Sequence, residues 1–150
     1  MKQWLGEFHE VFFLRSSMGI WLGELEIPLS IALPASHQVE HLRARTRLTD
    51  CNKAFASMVG HEDVHTLKRS QFQRYIFKLE GTKTETLTKF VAQGYFLEEA
   101  IICDVDRSGR SIYVAQSLMG IIRDAAVVRI WGMRRKVRVR RGSELERVEA

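Results

Sequence analysis

The sequence has few of the residues that hold small extracellular proteins together. It contains two cysteines, Cys51 and Cys103, and two prolines in 150 residues. Two cysteines supply neither a disulfide framework nor the four ligands of a structural zinc site, so we predict no metal. Free thiols are typical of a reducing compartment, which favours a cytoplasmic location.

Long apolar segments are missing as well. The longest stretch without Asp, Glu, Lys, Arg or His, Ser111 to Ile122, has twelve residues, whereas a membrane-spanning helix needs about 20. Near the start, Glu7 and Glu10 interrupt what could be the apolar region of a signal peptide. We therefore expect a soluble protein without a membrane span.

One C-terminal segment accounts for the net basic excess of the chain. The chain has 23 Lys and Arg against 18 Asp and Glu, a net charge of +5. Residues 134–141 hold six of the basic residues and no acid, and removing these six from the 23 leaves 17 against 18 acidic ones. The valines that alternate with arginines from Val137 favour the end of a strand. Nucleic-acid binding by residues 134–141 is the alternative, although no aromatic residue accompanies the cations.

The first 18 residues predict an amphipathic helix. One helix face carries Trp4, Leu5, Phe8, Val11 and Phe12. This apolar stripe can fold onto the protein's own sheet or pair with a second subunit, and we prefer a dimer. Binding to a membrane surface is less favoured, because the polar face of the helix is not basic.

Several shorter helices follow. Pro34 can open a helix that runs to Arg45, and Asn52 can cap a helix that ends at Gly60. The spacing of Ser70 with Gln73, and of Thr82 with Glu85, is that of a capping box, which predicts two more helix starts.

The order of the elements indicates one α+β domain. At 150 residues, 45 % of them apolar, the chain is the size of one domain. Strands near Ile20 and Arg47 precede the helices that start at Asn52, Ser70 and Thr82. Three β-branched and aromatic segments then predict an antiparallel meander: Phe96–Val105, Arg110–Ile122 and Val127–Val139.

Local sequence, together with this order, resembles the PAS domain. The similar segments are Gly19-Ile20-Trp21, the run from Asp50 to Gly60 that reads DCNKAFASMVG, the turn from Asp106 to Gly109, and Ser117–Ile122 followed by Val128–Gly132. The resemblance covers residues 19–137, which leaves 138–150 as a basic strand extension and tail.

The resemblance implies a five-stranded antiparallel sheet with short helices on one face, enclosing a small apolar pocket. Members of the family hold a ligand or cofactor there, dimerise through flanking helices and relay a signal to an output domain. By helix face and resemblance, we expect the pocket to be lined by Phe55, Met58, Phe72, Ile76, Phe90, Ile102 and Val114.

The sequence departs from the family at the output junction. Where the family has Asp-Ile-Thr after its last strand, this chain has Lys136, Val137 and Arg138. We therefore assign a signal junction to Arg135, Lys136, Val137 and Arg138, which would act on a separate output protein.

The cofactor is left unknown by the sequence. The helix predicted from Gln71 to Leu79 has no cysteine, which argues against a flavin of the cysteine-adduct type. No histidine lies between Thr84 and Gln93, which argues against histidine-ligated haem. Asp104, Asp106 and Ser108 imitate half of a calcium loop, but Ala115 stands where glutamate is needed, so a turn is preferred.

The sequence therefore predicts a sensory module and not an enzyme, because no arrangement of nucleophile and base is visible. The module would bind a small, mostly apolar ligand or a partner, and would dimerise. An unliganded dimerisation scaffold, whose interior is filled by its own side chains, is the competing interpretation.

Overall fold

The structure, a computed structural model, describes residues 6–7, 9–60, 64–69, 76–77, 82–105, 108–139 and 145–147. Its helices are α1 (His9–Leu14), α2 (Ala35–Arg45), α3 (Lys53–Met58), α4 (Val64–Arg69) and α5 (Thr84–Ala92). Its strands are β1 (Gly19–Ser30), β2 (Thr46–Cys51), β3 (Phe96–Val105), β4 (Ser111–Arg123), β5 (Ala126–Val139) and β6 (Leu145–Arg147). No helix among these residues is both long and apolar enough to cross a membrane.

The strands form one antiparallel sheet in the order β2-β1-β5-β4-β3. This confirms the predicted five-stranded architecture and the meander of the last three long strands. A short sixth strand, β6, was not predicted. It pairs with Val137–Val139 of β5, beyond the point where β1 begins opposite Arg134.

A local capping signal accounts for the start of α3. Asn52 caps α3 by accepting a hydrogen bond from Phe55 N–H, as predicted, and Gly60 follows with a φ of 91°. The capping box predicted at Thr82 is wrong, because α5 begins two residues later with Lys83 at its N-cap. The Thr82 hydroxyl instead accepts a hydrogen bond from Gln116. The capping box predicted at Ser70 lies outside the described residues.

The hydrophobic core lies between the inner face of the sheet and the helices. Alternation along the strands places Trp21, Leu118 and Ile130 on this face, all at most 2 % exposed. Helices α2 and α5 contribute Leu42, Leu87 and Phe90, which are fully buried in the same cluster. The inner face is therefore closed by short helices, as the resemblance to the PAS domain implied.

Helix α1 covers part of the outer face. The hydrogen bond from Arg15 N–H to Glu10 O spans five residues, the spacing of a π-helix. Phe13 is buried and meets Trp131 edge-on, with ring centroids 6.1 Å apart. Because Trp131 alternates with the inward-facing Gly132, this contact lies on the opposite side of the sheet from the core.

Candidate functional site

A single indole occupies the centre of the inner face. Trp21 on β1 is fully buried and lies directly against Gly132 on the neighbouring strand. A Cβ atom at Gly132 would come within 2.0 Å of Trp21 Cε2. Gly132 therefore has a packing role, since the indole takes the space that a side chain there would need.

Further aromatic rings surround this indole. Phe77 meets Trp21 edge-on with centroids 5.6 Å apart, and Phe55 lies 6.5 Å away in a tilted arrangement. Phe90 and Tyr95 form a second edge-to-face pair at 5.0 Å. Such pairs add stability beyond what the burial of their area contributes. The aromatic part of the interior is therefore filled by the protein's own side chains.

Tyr95 connects the aromatic cluster to α2. Its hydroxyl donates to the side-chain oxygen of Gln38, and the Gln38 amide donates to the Leu33 and Ile31 carbonyl oxygens at 2.6 and 3.2 Å. Burial raises the pKa of Tyr95 to about 12, because the interior disfavours the phenolate.

Six of the seven predicted pocket residues lie among the described residues. Phe55, Ile76 and Phe90 are fully buried in the core cluster. Ile102 and Val114 face each other across β3 and β4 on the inner face, and Met58 is half-buried with its sulfur near Gly19. Phe72 lies outside the described residues.

Polar side chains lie on the inner face beside Val114. Gln116 and Arg134 are opposite each other on β4 and β5 and are 0 % and 1 % exposed. The Gln116 amide donates to the Thr82 hydroxyl at 3.1 Å. A buried guanidinium and carboxamide can together bind a carboxylate or another polar group, so this end of the interior differs chemically from the aromatic end.

The burial of Arg134 was not predicted from the sequence. The residue stands in a basic run, which is usually a solvated face, although its even number gives it the same parity as the inward-facing Ile130 and Gly132. The alternation of inward and outward side chains along β5 could have indicated that Arg134 is buried. The basic charge of the segment favoured an exposed position instead.

The residues of the proposed signal junction lie near the end of β5. Arg135 is on the outer face and donates to Glu99 Oε1 at 2.6 Å, Lys136 is exposed, and Val137 is buried. Arg138 is opposite Glu146 of β6. Two of the six cations, Arg134 and Arg135, are thus engaged within the protein, which weakens the nucleic-acid alternative.

The outer face leaves many apolar side chains in contact with water. Those of β3, β4 and β5 with the largest exposure are Phe96 (48 %), Met119 (46 %), Ile101 (41 %), Tyr113 (40 %) and Met133 (36 %). In α1, the predicted dimerisation residues Val11 and Phe12 are 55 % and 60 % exposed. The other predicted ones, Trp4, Leu5 and Phe8, lie outside the described residues.

The described residues contain no cluster of three or more His, Cys, Asp or Glu side chains that could hold a metal ion. Cys51 is buried beside the cap of α3, whereas Cys103 is exposed on β3.

No family model and no curated protein matches the sequence. Solved structures do match. A light-oxygen-voltage domain determined with a flavin analogue has a TM-score of 0.55 at 11 % identity, covering 91 % of this chain and 86 % of the other. For an RNA-binding light-oxygen-voltage receptor the TM-score is 0.54 at 14 % identity, covering 88 % and 33 %.

A third match is the PAS domain of a protein from Colwellia psychrerythraea, with a TM-score of 0.53 at 13 % identity. It covers 88 % of this chain and 96 % of the other. At such low identities these structural similarities show the fold alone, and that fold agrees with the strand order and with the helices on the inner face. The chain has the PAS fold.

Proposed function

We propose that the chain is a sensory module of a signal-transduction protein, in the cytoplasm, that dimerises through α1 and acts on a separate partner. Residues 19–137 would form the sensory domain, and residues 138–150 a basic strand extension and tail. The similarity to light-oxygen-voltage domains, one of them a receptor, supports a sensory role over an enzymatic one.

The proposal of a dimer is supported by α1, which has apolar side chains on two sides. Phe13 is 7 % exposed against the sheet, whereas the adjacent Phe12 is 60 % exposed and Val11 is 55 % exposed. A helix of a monomeric domain needs only one apolar side. An exposed apolar second side is typical of a helix that pairs with another subunit.

Adjacent phenylalanines provide a matched test of dimerisation. Phe12→Ser should raise the dimer dissociation constant about tenfold in sedimentation equilibrium. It should leave the urea midpoint unchanged at protein concentrations below the dissociation constant, where dimerisation does not contribute to stability. Phe13→Ser should instead lower the midpoint, because it removes a buried contact with Trp131. Wild-type protein that remains monomeric at high concentration, or equal weakening by Phe12→Ser and a distant surface change, would contradict the proposal.

We further propose that the interior responds to a small, mostly apolar molecule. The binding region would include Ile102 and Val114, and a polar end of the ligand would meet Gln116 and Arg134. These residues lie on the inner face beside the aromatic cluster.

The competing candidate is an unliganded scaffold. Trp21, fully buried against Gly132, favours it, because this side chain occupies the middle of the inner face. In this case α1 would still dimerise, but the interior would serve stability only.

An absorption spectrum and a denaturing mass spectrum of the purified protein separate the two candidates. Colour or an additional small mass indicates a ligand. Val114→Phe should then reduce ligand retention, because it adds volume on the inner face. Tyr113→Phe, one residue away on the outer face, is the matched control and should retain the ligand. Protein without a ligand from several expression hosts would favour the scaffold.

A further inference from the structure

Asn52 uses the full hydrogen-bonding capacity of its side chain. It is fully buried between β2 and α3. Its Oδ1 accepts from Ile20 N–H and Phe55 N–H, both at 3.0 Å. Its Nδ2 donates to Phe13 O and Met18 O, both at 2.8 Å. A carboxamide has two donors and two acceptor sites, so none of its side-chain positions is left over.

These bonds exceed what helix capping requires. A cap needs only the bond to Phe55, which satisfies one free N–H of the first turn. The bond to Ile20 attaches β1, where a second bond runs from Asn52 N–H to Ile20 O at 2.9 Å. The two amide protons attach the end of α1 at Phe13 and the connection to β1 at Met18. One side chain thus joins α1, β1 and α3.

The elements joined by Asn52 pack on opposite faces of the sheet. Phe55, whose N–H it holds, contacts Trp21 in the interior with centroids 6.5 Å apart. Phe13, whose carbonyl it holds, covers Trp131 on the outer face. A single amide group therefore lies between an interior aromatic contact and an exterior one.

We propose that Asn52 couples the packing of the interior to the attachment of α1 on the outer face. A displacement of the first turn of α3 moves Oδ1 and Nδ2 together, since both belong to one planar amide. Nδ2 then loses its acceptors, α1 detaches and Trp131 becomes exposed. The coupling needs no particular ligand and operates whether α1 pairs with a second subunit or not, so it stands apart from the function proposed above.

Asn52→Asp tests the coupling at the atoms concerned. Aspartate caps a helix as well as asparagine and keeps both acceptors, but it removes both donors and places a carboxylate against Phe13 O and Met18 O. Amide hydrogen exchange at Arg15, which closes α1, should accelerate at least tenfold. Exchange at Val59, which closes α3, should change less than twofold. Unchanged protection of Arg15 in a folded variant overturns the proposal.

Changes in the core test the same coupling without altering Asn52. At an equal loss of global stability, Phe55→Leu should accelerate hydrogen exchange at Arg15 more than Leu42→Ala does. Leu42 is also fully buried, but it lies on α2, which Asn52 does not join to α1. In the Asn52→Asp background, Phe55→Leu should add nothing further. Equal acceleration by Phe55→Leu and Leu42→Ala would mean that α1 follows global stability alone, and the proposal would then be wrong. This comparison remains decisive if Asn52→Asp does not fold.

Discussion

The two faces of one sheet differ in how their apolar side chains are covered. On the inner face, Leu118 is 2 % exposed and Ile130 is fully buried. On the outer face of the same strands, Met119 is 46 % exposed and Met133 is 36 % exposed. Strand geometry makes the two sets equally accessible before packing, so the difference comes from what lies above each face.

Among the described residues, helices α2, α3, α4 and α5 cover the inner face, whereas the outer face is covered where Phe13 lies on Trp131. Stability should therefore depend on the inner face, and contacts with other molecules should depend on the outer face.

Trp21→Ala should cost about 3–5 kcal/mol in urea unfolding, because it removes a fully buried indole and leaves a cavity. Added indole should restore part of the loss, since a ligand that binds only the folded state stabilises it. A loss below about 1 kcal/mol would show that the inner face does not depend on this side chain.

Substitutions at two consecutive residues of β4 allow the contributions of the two faces to stability to be compared directly. Leu118→Ala should cost about 2–5 kcal/mol as a buried truncation. Met119→Ala, on the exposed side, should change the free energy of unfolding by no more than about 0.5 kcal/mol. Circular dichroism in urea measures both. Similar losses for the two variants would contradict the division between the faces.

Gly132→Ala should cost up to about 3 kcal/mol, because its Cβ would lie 2.0 Å from Trp21 Cε2. In a Trp21→Phe background the same change should cost less than half as much, since phenylalanine lacks the five-membered part of the indole. Gly6→Ala is the control, because a Cβ there meets no atom within 4 Å. Equal costs in both backgrounds would mean that the glycine serves another purpose.

Local signals were sufficient to predict much of this fold. The bounds of β3 at Phe96–Val105 and of α2 at Ala35–Arg45 agree with the structure, because β-branched composition and Pro34 mark them within a few residues. The cap at Asn52 was also predicted from a local signal, the preference for asparagine at the start of a helix. Its bonds to Phe13 and Met18 were not, because they join residues 39 and 34 positions apart.

Burial of charge and the choice between apolar neighbours were harder to predict. Arg134 was grouped with the other cations of residues 134–141, but it lies opposite Gln116 on the inner face and is 1 % exposed. In α1 the periodicity included Phe12, but the residue that packs on the sheet is Phe13. Helix periodicity assumes 3.6 residues per turn, and the wider π-helical turn of α1 rotates its side chains away from that pattern.

The smallest expected effect concerns Tyr95, where the inner face contains an ionisable group. Its pKa is raised to about 12 in the folded protein, against about 10 in an unfolded chain. The stabilisation is complete below pH 10 and is lost as the pH rises towards 12, because only the unfolded chain ionises readily in this range. The loss should be about 2 kcal/mol, since one pKa unit corresponds to about 1.4 kcal/mol.

Urea unfolding at pH 9 and pH 11.5 should show this loss in wild type and in Tyr113→Phe, whose tyrosine is 40 % exposed, but not in Tyr95→Phe. If Tyr95→Phe loses as much stability as wild type over this interval, other groups account for the alkaline loss and the buried phenol does not contribute.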